Sequence, residues 1–329
     1  MLLRWQPVFV FAAVGLLAGS LNSPAQQCHT LAQACLDLEY ACTPIPTSLR
    51  PLSSLARKYV GTLEPIRSFY RDASSVYLDA GVWFNFPDRT GEGEVEYWAS
   101  GPKYRLRATT DPRLGLSSDL EAAYDGMRYQ LFYLADSRLS LWKEDPKQTP
   151  SPFPNPLFLP ISFLGFKGDD CYACEPTLKM VSDDGQWLSR VNAARALPGE
   201  SDGAILVLPG GSLEGEPFYF RVVLAKDRAS VPRIDWVRPG GRPVITLELS
   251  NYQPVEGSSR RFPYHIVMTS FDKDGTRLVS VHYMVKTLRL NAPVEARTFT
   301  IPFEAAKTVI DEDVPTYLKH YQLAVDPPE

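Results

Sequence analysis

Gly93-Glu94-Val95-Glu96-Tyr97-Trp98-Ala99 followed by Ser100-Gly101-Pro102 and Lys103-Tyr104-Arg105-Leu106-Arg107-Ala108-Thr109 is the stretch that decides the fold. Its side chains change character with a period of two. In the second half Tyr104, Leu106 and Ala108 face one way, and Lys103, Arg105 and Arg107 the other. That is a half-buried antiparallel strand with a wet side. The pattern extends in both directions. Upstream, Val76, Leu78, Ala80, Val82, Phe84 and Phe86 alternate with Tyr77, Asp79, Gly81, Trp83 and Asn85. Downstream, Asp125-Gly126 joins 121–124 to 128–134, and an Asp-Gly pair between alternating runs is a strong hairpin signal. One more strand is expected at 137–143. After residue 203 the pattern resumes, with strands at 204–208, 217–225, 233–238, 244–251, 264–272, 277–291 and 298–302, and Asp274-Gly275 as a second hairpin turn. A short helix is expected over 303–309. The spacing therefore predicts a mainly β (α+β) chain: a curved antiparallel sheet with helices packed in or over its concave face.

Two segments depart from the β pattern. Leu49, Leu52, Leu55, Ala56, Tyr59, Val60, Leu63, Ile66 and Phe69 follow helical spacing, so a helix with one apolar face is expected from about Thr47 to Asp72. Pro51 falls in its first turn, where proline is tolerated, and Pro65 is expected to kink or end it. Residues 144–166 interleave Pro146, Pro150, Pro152, Pro154, Pro156 and Pro160 with Phe153, Leu157, Phe158, Leu159, Ile161, Phe163 and Leu164. Such a run cannot be a central strand and is too apolar for a wet loop, so it is expected to lie across an apolar surface. Residues 48–310 then read as one β-rich domain, followed by a polar tail over 311–329. A short helix is expected within 187–196.

Residues 1–25 read as a cleaved secretory signal. Arg4 supplies the charge, residues 8–21 the apolar run, and Ser23-Pro24-Ala25 a small-residue cleavage site. The run is shorter than the roughly 20 residues of a membrane span. Leu17-Ala18-Gly19-Ser20 resembles a lipoprotein cleavage box with serine where the lipidated cysteine should stand. The mature chain is therefore expected to be periplasmic or secreted, unanchored and without a transmembrane segment. Cys28, Cys35 and Cys42 in the arm 26–47, with Cys171 and Cys174, are disulfide candidates in an oxidising compartment, and their odd number leaves one over. Seven-residue spacing on a helix separates Cα atoms by about 10.5 Å, beyond the roughly 7 Å a disulfide spans. The arm cysteines could pair with each other across a broken helix, or with Cys171 or Cys174.

The chain has 38 acidic and 34 basic residues, and the basic ones are scattered, which argues against a nucleic-acid partner. Cys171-Tyr172-Ala173-Cys174 reads first as a structural disulfide, ahead of a redox pair or a metal site, because Asp169 and Asp170 would raise a thiol pKa. Gly210-Gly211-Ser212-Leu213-Glu214-Gly215 misses the serine-hydrolase spacing by one residue. His265 and His282, on strands flanking Asp274-Gly275, read as packing. No catalytic residue, metal or cofactor is expected.

The order of these elements resembles the LolA/LolB-like fold of periplasmic lipoprotein carriers and the related anti-sigma-factor regulator RseB. Two stretches carry the resemblance: Gly93 to Leu106 with Tyr124-Asp125-Gly126 and Tyr129, and Phe262-Pro263-Tyr264-His265-Ile266 through Asp274-Gly275 to Val285, Leu290-Asn291 and Phe299-Thr300-Ile301. The resemblance implies an unclosed β-barrel with helices as a lid over a concavity that accepts acyl chains. The lining it implies is Val82, Phe84, Tyr97, Tyr104 and Leu106; Tyr124, Leu131 and Tyr133; Phe220 and Val222; Ile266 and Met268; and Val281, Tyr283 and Val285. Phe158, Phe163 and Leu164 would be lid residues. The implied partners are the acyl chains of a lipid or lipoprotein, or alternatively an envelope membrane protein, and the implied role is non-enzymatic binding. The extra length, the cysteine arm and the block after residue 203 point to a lipid-binding or envelope-protein-binding relative of the carriers. Trp83 and Trp98 fall on the outward face, where they would serve a partner.

Overall fold

A computed structural model describes residues 55–114, 119–143, 153–164, 195–198, 204–213, 216–225 and 230–312. The expected signal, all five cysteines, the first turns of the expected helix and the tail beyond residue 312 lie outside them. Fourteen strands form one sheet. They are β1 (Ser75–Asn85), β2 (Thr90–Ser100), β3 (Lys103–Thr110), β4 (Leu120–Tyr124), β5 (Tyr129–Tyr133), β6 (Arg138–Trp142) and β7 (Arg195–Pro198). After these come β8 (Ala204–Leu213), β9 (Glu216–Leu224), β10 (Arg233–Val237), β11 (Pro243–Pro254), β12 (Arg261–Phe271), β13 (Arg277–Leu290) and β14 (Thr308–Asp311). Their spatial order is β14-β6-β5-β4-β3-β2-β1-β13-β12-β11-β10-β9-β8-β7. The sheet is open, with β14 and β7 as its edges. One long-range pairing joins two runs of hairpins: β1 lies antiparallel to β13, with Val82 opposite Tyr283 and Phe84 opposite Val281.

The register carries the period-two pattern across the whole sheet. Leu206, Val222, Ile234, Leu247, Met268, Val281 and Phe84 fall in one row from β8 to β1. Leu288, Leu78, Tyr97, Leu106, Ala122 and Leu131 form another from β13 to β5. All are buried in one apolar cluster. Bulges after Asp79, Trp236 and Ser270, and between Pro209 and Ser212, interrupt the ladders. Each adds local bend and twist, which favours curvature around that cluster.

The helix α1 (Leu55–Arg71) lies against the concave face and contains Pro65 without ending there. Proline removes one backbone donor and disfavours the preceding turn. Burial on both sides of it offsets this, because Leu63 before it and Phe69 and Tyr70 after it are all in the core. Ser68 Oγ also donates to the Pro65 carbonyl at 3.1 Å.

The C-terminal elements differ from the expected ones. Residues 298–302 are not a strand: Ala296–Phe299 is a 3₁₀ turn and the chain beyond is extended. The Gln130 side chain tethers it, donating from Nε2 to the Ile301 carbonyl at 3.3 Å and accepting from Ile301 N at 2.9 Å. Phe299 and Ile301 are buried, so their alternation serves packing with no ladder. The helix expected at 303–309 is a turn, Phe303–Ala305, followed by β14, which pairs parallel with β6. Ile301 and Ala306 cover Ala123, Phe132, Leu139 and Leu141 on the convex side of β4–β6. Of the helix expected within 187–196, Arg195 and Ala196 belong to β7, paired with Val207 and Leu206, and the rest lies outside the described residues.

At Gly93, opposite Thr110 in the β2–β3 ladder, a Cβ would sit 2.4 Å from the Thr109 carbonyl oxygen. Because the clashing atom is backbone, Gly93→Ala is expected to destabilise the chain by about 1–3 kcal/mol. An unchanged urea midpoint would show that the two strands separate freely there.

Candidate functional site

The concave face is covered at its centre by residues 153–164, a strap with no ladder partner among the described residues. A buried irregular segment must dispose of its backbone polar groups. Pro154, Pro156 and Pro160 remove three amide donors outright. Leu157 N donates to Asn155 Oδ1 at 3.0 Å, Phe158 N to the Asn155 carbonyl at 3.1 Å and Ile161 N to the Phe158 carbonyl at 3.2 Å. The Leu157 carbonyl accepts from Tyr70 Oη at 2.6 Å, which ties the strap to α1. Burial pushes the Tyr70 phenol pKa well up, so it remains a neutral donor. The strap closes on itself in a 3₁₀ turn, Leu159–Leu164.

Its rings meet the sheet edge-on. Phe153 lies 5.6 Å from Phe84 and 6.3 Å from Tyr283, and Phe158 lies 5.7 Å from Tyr97 and 6.3 Å from Tyr70. Phe69 of α1 sits 5.3 Å from Phe262. Phe153, Phe158 and Phe163 are buried. The expected lid residues Phe158 and Phe163 are therefore wedged inside the bowl against its wall; the side chain of Leu164 lies outside the described set.

The residues expected to line the concavity share one face. Val82, Phe84, Tyr97, Tyr104, Leu106, Leu131, Phe220, Val222, Ile266, Met268, Val281, Tyr283 and Val285 are buried in a single cluster. Tyr124 and Tyr133 are half-buried at its margin. Tyr124 leans on Tyr104 at 6.1 Å, and the Arg138 guanidinium covers the Tyr133 ring at 4.5 Å. Tyr70, Phe153, Phe262 and Trp236 complete the face and were not among the expected residues. Tyr70 continues the apolar stripe of α1, and Phe153 belongs to the apolar set of the strap. Trp236 packs between Phe218 and Phe220, each at 5.5 Å.

The convex face is chemically different. Asp235, on β10, is fully buried and paired with Arg221 at 2.6 Å and Arg233 at 2.7 Å, and it accepts from Thr246 Oγ1 at 2.9 Å. Arg105, on the wet side of β3, pairs with the buried Glu121 and donates to the Thr298 carbonyl. It therefore anchors the C-terminal segment. Trp83 and Met284 are 39% and 41% exposed, whereas Trp98 packs on Tyr77 at 5.3 Å. His265 and His282 lie on paired strands, their rings 6.1 Å apart, and the His265 ring meets Ser250 Oγ at 3.3 Å. Among the described residues no group of three metal-ligating side chains occurs, and no helix is long and apolar enough to cross a membrane. Cys28, Cys35, Cys42, Cys171 and Cys174 lie outside those residues.

No protein-family profile and no curated protein matches the chain. Solved structures do show similarity. A DUF1329 family protein from Desulfovibrio piger aligns with 76% of this chain and 97% of its own at 12% identity and a TM-score of 0.45. A putative outer membrane lipoprotein-sorting protein domain from Vibrio parahaemolyticus aligns over 74% and 97% at 13% identity and 0.45. A LolA superfamily protein from Nitrosomonas europaea aligns over 74% and 97% at 14% identity and 0.41.

Partial burial, the neighbouring His265 and Arg277 hold the His282 imidazole pKa below its ordinary value, against the opposing pull of Glu248. The folded chain thus favours neutral His282, while the unfolded chain takes up the proton below about pH 6.5. The associated stability is present above that pH and is lost as pH falls toward the depressed folded value. His282→Phe is expected to flatten the fall in denaturation midpoint between pH 7 and pH 5. Parallel profiles for the two proteins would refute this assignment.

Proposed function

We propose that the chain is a non-enzymatic binding protein of the bacterial envelope or exterior, and that its concave face holds acyl chains when the rings of the strap lift out of it while the strap itself stays over the guest. The observation that carries this reading is the strap itself. The centre of a wide apolar bowl is covered by a proline-rich segment that meets the described residues through ring packing and the Tyr70 hydrogen bond, where a regular element would add ladder hydrogen bonds. Magnitudes favour an exchange. A buried phenylalanine side chain is worth about 1.5–3 kcal/mol and each buried methylene about 0.8 kcal/mol. An acyl chain of roughly six to eleven carbons therefore matches what the rings of Phe153, Phe158 and Phe163 contribute, and a ligand can replace them with little net cost. The ligand would meet Phe84, Tyr97 and Tyr283 where Phe153 and Phe158 now pack.

The exposed Trp83 and Met284 favour a second role for the convex face, as a docking surface for an envelope protein. The two roles would use opposite faces of one sheet.

The test uses 1-N-phenylnaphthylamine, a neutral probe that brightens in apolar surroundings, with the full chain. Removing strap rings shifts the population toward the open face, and apparent affinity rises with that population. Phe153→Ala with Phe158→Ala is expected to tighten apparent binding by at least about ten-fold, given the 3–5 kcal/mol typical of a buried Phe→Ala change. Tyr70→Phe, which removes the tether, is expected to act in the same direction more weakly, and Arg277→Ala to leave binding unchanged. Wild-type and variant proteins with native circular dichroism, no probe uptake and no acyl species in organic extracts would end this reading.

A further inference from the structure

The polar atoms inside the bowl say which kind of head group an apolar chain could bring with it. Asn155 and Ser162 lie on the strap, 4% and 9% exposed, between the rings that meet the sheet. Asn155 Nδ2 and Ser162 Oγ are buried and meet no hydrogen-bond partner among the described residues. The other end of the Asn155 amide is used, since its Oδ1 accepts from Leu157 N. What remains is donor capacity: an amide N–H pair and a hydroxyl, each costing about 1–3 kcal/mol while buried without an acceptor.

Charge on the same face is accounted for. Arg67 on α1 faces Glu64 at 3.5 Å. The other buried charges, Glu121 and Asp235, sit on the convex side with Arg105, and with Arg221 and Arg233. A buried anion requires a counterion, because an unpaired one is far more costly than an unpaired neutral group. The unpartnered donors of the strap are neutral, and the one buried cationic residue on that face among the described residues, Arg67, faces a carboxylate; Arg89 is half-buried, its guanidinium 5.0 Å from the Phe86 ring.

We propose that the bowl takes an amphiphile whose head is neutral and accepts hydrogen bonds, such as an acylglycerol ester, in preference to a fatty-acid or phospholipid anion. Asn155 Nδ2 and Ser162 Oγ are the donors to its ester or hydroxyl oxygens. This rests on the ligand-binding reading above and specifies its substrate class.

Competition against bound 1-N-phenylnaphthylamine tests it at pH 8. Monoolein is expected to displace the probe at a concentration at least about ten-fold below that needed for oleate or oleoyl-lysophosphatidylglycerol. Ser162→Ala, which removes one donor and adds no charge, is expected to weaken displacement by monoolein more than displacement by oleate and to shrink that gap below about three-fold. Equal displacement by monoolein and oleate in the wild type overturns the proposal while leaving acyl binding intact. So does an undiminished preference in Ser162→Ala. A wild-type protein that takes up no probe overturns both readings, so the two failures are distinct.

Discussion

The constraint that organises this molecule is the need to cover an apolar sheet face wider than one helix can cover. The buried rows run from β8 through β1 to β5. A sheet hydrophobic on one face must bury it against another layer. α1 reaches part of it through Phe69 and Tyr70, and the strap reaches the centre through Phe153 and Phe158. The strap can do this because its prolines have no amide hydrogen to strand in an apolar interior. Three backbone or side-chain bonds satisfy the amides of Leu157, Phe158 and Ile161, and the Tyr70 hydroxyl satisfies the Leu157 carbonyl. The same arrangement makes the cover separable, since little of its attachment is cooperative with the sheet.

Much of the sheet was legible in the sequence, because alternation and turn chemistry are local. The strands from β1 to β6 and from β8 to β13 follow the period-two runs, and Asp125-Gly126 and Asp274-Gly275 sit at their turns, with both glycines at positive φ. What was not legible depended on distant partners. β7 and β14 have four residues each and pair only at the sheet edges, so they carry too few alternations to register. Phe299 and Ile301 alternate like a strand but are held by the Gln130 amide. Pro65 is a helix breaker by local rules, and tertiary burial of the next turn overrides it.

The candidate site shows the same division. The inward residues are the ones the resemblance implies, and the register places them on one surface. Parity could not say which of them touch. Tyr70 and Leu157 are separated by 87 positions, yet their hydrogen bond fixes the strap. Phe153 meets both Phe84 and Tyr283 because β1 pairs with β13, a connection that no local signal announces.

The two faces divide the chemistry of the chain between them. On the convex side, buried carboxylates are matched by arginines, and these pairs fasten the structure: Arg105 joins β3 to Glu121 and to the C-terminal segment, and Asp235 holds Arg221 and Arg233 with Thr246. On the concave side, the polar groups at the strap are neutral: the Tyr70 phenol, the Asn155 amide and the Ser162 hydroxyl. Hydrogen bonds to charged groups contribute about 1.5–3 kcal/mol and neutral ones nearer 1 kcal/mol. The face that must stay fixed therefore carries the stronger bonds. The strap side carries weaker ones, and under the binding reading proposed above these are the contacts a guest molecule would replace.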